Sequence, residues 1–283
     1  MLKFTTIKGF YPYILVFCFI LQFQLNGWSH GDLDIRIAEV TSEIDANPEL
    51  DTLYIKRGTL YFQHEDYLKS IRDFEKVEEL SGPSTIVYMS YAKAWHKLEE
   101  LNFALESVNQ VLKLDPDNSA SYRLRGRIFL DMKEFERAAS DSDHALINST
   151  KHITEHYTEY VQALDSIHTP EAKKKAIVVL QNGMEDLGEL PVFIDKMVDL
   201  YVDLGDYTNA IKTTTLLLDK ATRKERILFK RAQLYYSNNE LEKSKQDILS
   251  ARKEIDDLPA RYAHSTPMNA LKLELDTLYI KTN

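Results

Sequence analysis

The apolar residues of this chain fall into a pattern that repeats. Between residues 32 and 46, Leu33, Ile37, Val40 and Ile44 lie three or four positions apart. That spacing puts them on one stripe of an α-helix, and Asn47-Pro48 ends the run. Near the other end Met268, Leu271, Leu275 and Leu278 do the same within residues 267–280. In between, small residues recur in phase. Ser70, Ala104 and Ala138 are 34 positions apart, and after one step of 38 the phase resumes at Ala176, Ala210 and Ser244, again at 34. A second small site, Gly58, Ala92, Gly126 and Ala232, precedes the first by 12 positions, and three positions after it stands an aromatic, Tyr61, Trp95, Phe129 or Tyr235. Tyr201 fills the aromatic slot of the fifth period, whose small site holds Val198. A small side chain lets a neighbouring helix approach and a ring fills the groove beside it, so each period predicts two packed helices.

Six such units are placed at 51–84, 85–118, 119–152, 153–190, 191–224 and 225–258. The fourth is irregular: its second helix, Glu171 to Leu187, keeps Ala176, Leu180 and Gly183 in phase, while its first, Ile153 to Ile167, admits several registers. A repeat array exposes an apolar face at each end unless it is covered. The helical stripes within 30–48 and 259–283 predict capping segments, with Leu258 to Pro267, including Arg261 and Tyr262, as a prolonged turn. The expected fold is an all-α solenoid of about six helix-turn-helix units with capping helices at both ends. The sparse glycine (9) and proline (8) favour long helices over strands and tight turns.

The residues Tyr54, Gly58, Tyr61, Tyr67, Ser70 and Phe74, the closing Leu112 to Pro116, then Tyr122, Gly126, Phe129, Phe135 and Ala138, and further Tyr201, Gly205-Asp206-Tyr207 and Ala210, resemble the motif of the tetratricopeptide repeat family, and of its exported bacterial members. The resemblance covers nearly all of the chain after residue 30. It implies a protein or peptide ligand on the concave surface, lined by the second, fifth, ninth and twelfth positions of each first helix. Carried onto unit two these are Ile86, Met89, Lys93 and His96, and onto unit three Ala120, Arg123, Arg127 and Leu130. Lys93, His96, Arg123 and Arg127, with Lys97 beside them, would form a basic saddle suited to an acidic or carboxylate-bearing segment. In unit six the same face holds Phe229, Gln233 and Tyr236, and in unit one Ile55 and Phe62. The family's chaperone-type carboxylate clamp is not reproduced, because Ile55 and Thr59 stand where it needs lysine and asparagine.

The first 29 residues read as a signal peptide: Lys3 and Lys8 precede the apolar run Tyr11 to Phe23, and Gly27-Trp28-Ser29 offers a cleavage site before His30. The run is shorter than the roughly 20 residues of a membrane-spanning helix. Cleavage therefore predicts export to the bacterial periplasm or cell envelope with no stable membrane insertion, the alternative being a signal anchor in the inner membrane. The one cysteine, Cys18, follows bulky Phe17, unlike a lipoprotein signal, and leaves with the leader, which removes disulfide and thiolate chemistry. A net charge of −9 excludes nucleic acid as a bulk partner.

Glycine-rich phosphate loops, nucleophile elbows and zinc-protease motifs are missing from the sequence, so neither enzyme nor cofactor is expected. His144, His152 and His156 are read as exposed helix histidines, the last two sharing a face, rather than as metal ligands, which would need a third donor. A mature N-terminus at His30 would offer an amine and an imidazole to copper or zinc, with Asp32 or Asp34 adding oxygen. The leading reading is a non-catalytic binding scaffold; the alternatives are an envelope-assembly or nutrient-capture component and a metal-binding exported protein using His30.

Overall fold

The computed structural model describes residues 31–282, all helical or connecting. The leader and His30 therefore lie outside the described residues. The chain falls into two compact units, one ending at Met132 and one beginning at Lys133. In the first, α1 spans 31–46, followed by α2 (Asp51–Gln63), α3 (Tyr67–Ser81), α4 (Thr85–Lys97), α5 (Leu101–Leu114) and α6 (Ser119–Asp131). The second holds α7 (Phe135–Ile147), α8 (Thr154–Ser166), α9 (Pro170–Leu187), α10 (Pro191–Asp203), α11 (Tyr207–Lys220), α12 (Glu225–Ser237), α13 (Leu241–Asp256), α14 (Ala260–Ala263) and α15 (Thr266–Lys281). This is an all-α solenoid of repeated helix pairs with additional helices at its ends.

The first helices α2, α4, α6, α8, α10 and α12 are each 13 residues long. One turn sets that length. Glu65, Glu99, Lys133, His168, Gly205 and Asn239, one after each first helix, all take positive φ, between 59° and 71°. A left-handed residue there reverses the chain and lets the last carbonyls of the helix be capped. After α2, the Glu65 amide donates to Phe62 O (3.1 Å) and the Asp66 amide to Tyr61 O (2.8 Å). Glu99 and Glu100, Gly205 and Asp206, and Asn239 and Glu240 repeat both bonds. The phased aromatics Tyr61, Trp95, Tyr201 and Tyr235 thus also supply the backbone acceptor that closes each turn.

Every phased small residue is buried. Ser70, Ala104, Ala138, Ala176, Ala210 and Ser244 are each 0% exposed. In the first unit, Val40 and Ile44 of α1 pack with Leu53 and Leu60 of α2 and Ile71, Phe74 and Val77 of α3. A second cluster joins Ala92, Ala104, Val108, Leu124 and Ile128. In the second unit α15 buries the four expected residues, Met268, Leu271, Leu275 and Leu278, against Ile248, Ala251 and Ile255 of α13.

Charged fasteners lie inside this apolar framework. Arg57 of α2 donates from Nε to Asp73 Oδ2 (2.9 Å) and from Nη2 to Asp73 Oδ1 (2.7 Å) on α3, while its Nη1 donates to Thr41 Oγ1 of α1 (3.2 Å). Arg231 of α12 repeats the arrangement with Asp247 of α13 (2.7 and 2.8 Å) and Thr215 of α11 (3.1 Å). Position for position, α1 acts as the second helix of a preceding pair. The bonds to Asp73 and Asp247 raise the pKa of each guanidinium further, so both stay charged despite partial burial.

One detail differs from the expectation: the segment from Leu258 to Pro267 contains a turn of helix, α14, started by Pro259, whose carbonyl accepts from the Tyr262 amide at 2.8 Å. In the fourth pair α9 begins one residue before the expected Glu171 and ends at Leu187; its 18 residues, against 13 to 16 in the other second helices, hold much of the longer step.

Candidate ligand-binding faces

In the first unit α4 and α6 are neighbours. Lys93 is the ninth residue of α4 and Arg127 the ninth of α6, and both are exposed; Arg123, one turn before Arg127, is half-buried. His96 lies in the last turn of α4, where its Nε2 donates to Asp131 Oδ2 of α6 at 2.6 Å. His96 is thus held in a helix-to-helix bond. Arg123 and Arg127 have interaction partners of their own. The face carries positive charge, but that charge is already shared with its surroundings.

In the second unit α12 and α15 lie side by side. Phe229 and Gln233 of α12 line a cavity of about 380 Å³ whose other wall is Leu273, Glu274 and Thr277 of α15, with Lys281 at its end. Tyr236, one turn beyond Gln233, is 38% exposed and does not line the cavity. A second cavity, of about 390 Å³, is bounded by Arg223, Glu225 and Arg226 before and at the start of α12, by Tyr262 of α14, and by Ser265 and Met268 at the start of α15. The Glu225 carboxylate is buried and accepts from Arg223 Nη2. The same positional pattern that selects Phe229 also points to Arg226, the second residue of α12. The α15 wall has no such signal, since it stands outside the repeat.

The histidines need correction. His152 is half-buried in the α7–α8 connection, before α8 begins at Thr154, so it shares no helix face with His156. Its Nδ1 lies 2.6 Å from Asp186 Oδ2 and its Nε2 3.2 Å from Leu146 O. The Tyr157 hydroxyl also donates to Asp186. That bond and the one to His152 hold the Asp186 carboxyl below its ordinary range, while burial pushes the Tyr157 phenol up. His144 is tied to the Ser140 carbonyl of its own helix at 2.8 Å. Among the described residues no group of three or more metal-ligating side chains is assembled. No helix among them is long and apolar enough to cross a membrane.

Repeated pairs of this form define the tetratricopeptide-repeat fold, and solved structures carry the same architecture. The C-terminal part of a TPR repeat-containing protein from Cytophaga hutchinsonii aligns with a TM-score of 0.56 at 14% identity, covering 81% of this chain and 95% of that one. YrrB, described as a TPR protein with an unusual peptide-binding site, aligns with a TM-score of 0.53 at 17% identity over 72% of this chain and 97% of its own. Among curated proteins, the heat shock protein STI1 of Saccharomyces cerevisiae is 25% identical over 144 residues, 50% of this chain. The match spans only 22% of that relative's length. No family model matches the chain.

Proposed function

We propose that this chain is a non-catalytic scaffold that holds a protein or peptide on the outward faces of its first helices. The observation that carries the reading is chemical: Lys93 and Arg127 in the first unit, and Gln233 and Tyr236 in the second, are exposed to solvent on their first helices. Cations and aromatics on a preformed helix bind acidic and apolar side chains without a cost for ordering the backbone, the ordering of their own side chains remaining. YrrB, a protein of the same fold with a peptide-binding site, agrees with this reading. Reversing both charges with Arg123→Glu and Arg127→Glu should abolish partner capture from cell-envelope extracts while leaving the helical circular dichroism intact. Undiminished capture by the folded variant would remove this face from the site.

The proposed setting is the bacterial periplasm or cell envelope, supported by Lys3, Lys8 and the apolar run from Tyr11 to Phe23. N-terminal sequencing of the protein from a periplasmic fraction should then begin at His30. A chain that starts at Met1 and pellets with membranes would instead favour the signal anchor.

A further inference from the structure

We propose that the outer face of α15 is an interface to a second copy of this chain, packed antiparallel on that copy's own α15. The two terminal helices differ in a way that points to it. A terminal helix of a repeat array must turn a polar face to solvent. In α1, Asp32, Arg36, Glu39 and Glu43 are exposed, with Arg36 4.0 Å from Asp32 and Lys56 of α2 3.3 Å from Glu43, and Ile35 is the large hydrophobic residue exposed among them. In α15 the exposed side is apolar as well. Besides burying Met268, Leu271, Leu275 and Leu278, this helix leaves Leu273 68% and Ile280 74% exposed, with Ala270 and Thr277 exposed beside them. Seven residues turn a helix by about 700°, some 20° short of two full turns, so Leu273 and Ile280 form one stripe about 10 Å long. A helix with apolar residues on both sides is built to be covered on both.

The charges beside the stripe identify the cover. Glu274 and Lys281 are exposed, again seven positions apart, on one flank of it, and neither makes an ion pair among the described residues. Both line the cavity toward α12, so this flank stands clear of its own neighbour. One acid and one base along a flank give no net charge to attract a membrane or a partner of a single sign, but they complement themselves when reversed. About a two-fold axis passing between Asp276 and Thr277, Leu273 meets the partner's Ile280 and Ile280 meets the partner's Leu273. The same rotation keeps each flank on its own side of the pair. Glu274 then comes level with the partner's Lys281, offset by about 3 Å along the helix, and the symmetry makes that contact twice. Thr277, near the axis, is small enough to let the two helices approach. On the other flank Asp276 comes near its own copy with its charge already held by Arg252 of α13.

One helix of 16 residues offers less than the roughly 800 Å² per partner of a standard interface, so the dimer is weak, with Kd on the order of 10 to 100 μM. The inference goes beyond the scaffold reading and does not depend on which first-helix face holds a ligand.

Sedimentation velocity of the purified full chain from about 1 to 300 μM tests it, and the parent should pass from monomer to dimer across that range. Leu273→Asp and Ile280→Asp, each at an exposed site, should weaken dimerisation at least about tenfold with the helical circular dichroism unchanged. The sharper test uses Glu274→Lys and Lys281→Glu. Each alone sets like charges opposite each other at both contacts and should dimerise about five- to tenfold more weakly, whereas an equimolar mixture of the two restores opposite charges and should dimerise as the parent does. A chain that stays monomeric throughout overturns the proposal. So does a dimer that Leu273→Asp leaves intact, or a pair of charge variants that associate no better mixed than alone. A monomeric chain that binds phosphatidylglycerol vesicles, and loses them on Leu273→Asp, overturns it in favour of a lipid surface.

Discussion

At one equivalent position the first and sixth helix pairs are fastened by an interior ion pair, where the fourth is packed by shape. In α2/α3 and α12/α13 a partly buried arginine, seventh in its first helix, grips an aspartate of the second helix through two hydrogen bonds and a threonine of the helix before through a third. In α8 the seventh residue is Tyr160, buried, and Val179 of α9 stands three residues after the phased Ala176, as Asp73 stands after Ser70 and Asp247 after Ser244. No ion pair is available there. Gly183 of α9 instead sits under two rings, Tyr157 of α8 and Phe193 of α10, themselves packed edge to face at 5.8 Å. A directional pair fixes the register of two helices even when their surfaces are loosely shaped, whereas ring-on-glycine packing fixes it only if the shapes match. The fourth pair, with its long α9, lacks the interior arginine–aspartate device and relies there on the second, its directional contacts lying elsewhere: Tyr157 donates to Asp186, and Lys173 pairs with Asp165 at 3.9 Å.

Breaking a charge fastener should have the largest effect. Asp73 and Arg57 side chains are 6% and 17% exposed, so Asp73→Ala leaves a guanidinium buried without its partner. The expected loss is about 3 to 5 kcal/mol, read from urea unfolding, with a similar loss for Asp247→Ala. Replacing the pair together, Arg57→Met with Asp73→Leu, should recover most of it, because the attraction largely offsets the cost of removing both ions from water. A loss under about 1 kcal/mol for the single change would show that water reaches the guanidinium and that the contrast with the fourth pair is only geometric.

Shape is tested at Gly183. A Cβ there would lie 2.9 Å from Tyr157 Cγ and 3.0 Å from Phe193 Cε2. Tyr157 and Phe193 are 1% and 0% exposed, so neither ring has space to retreat. Gly183→Ala should cost about 1 to 3 kcal/mol by overpacking. A variant that melts with the parent would show that α9 shifts freely and that this pair is not held by shape at all.

Much of the repeat is legible in the sequence because the small residues have one job, to lie where two helix backbones meet, and nothing else at Ala104 or Ala210 satisfies it. The charge fasteners are legible too, by a rule that uses polarity against habit: Arg57 and Arg231 each precede a phased small residue by one position, and Asp73 and Asp247 each follow one by three. Read singly they look like surface charges; only their phase marks them as interior. The cavity between α12 and α15 has no such signal. Nine residues separate α13 from α15, so the register of Leu273 against Phe229 is set by tertiary packing and not by the repeat. His152 is likewise placed by its bond to Asp186, 34 positions away, which no local pattern announces.

The turns separate what is common to both kinds of pair from what is not. Glu65 in the first pair and His168 in the fourth adopt nearly the same left-handed φ, 64° and 60°, and Gly205 in the fifth adopts 71°. A side chain in that region costs about 1 kcal/mol or more, while glycine enters it freely but loses more entropy on folding. Glu65→Gly and His168→Gly should therefore each stabilise by a few tenths to about 1 kcal/mol, and Gly205→Ala should destabilise by about 1 kcal/mol. The turn after α2 carries both capping bonds, Asp66 N to Tyr61 O and Glu65 N to Phe62 O, whereas the fourth carries the His168 N to Asp165 O bond at 3.1 Å. Equal gains at Glu65 and His168 would place the whole difference between the pairs in their helix contacts. A smaller gain at His168 would place part of it in the turn, where relaxing the backbone helps less because fewer bonds hold the helix end in place.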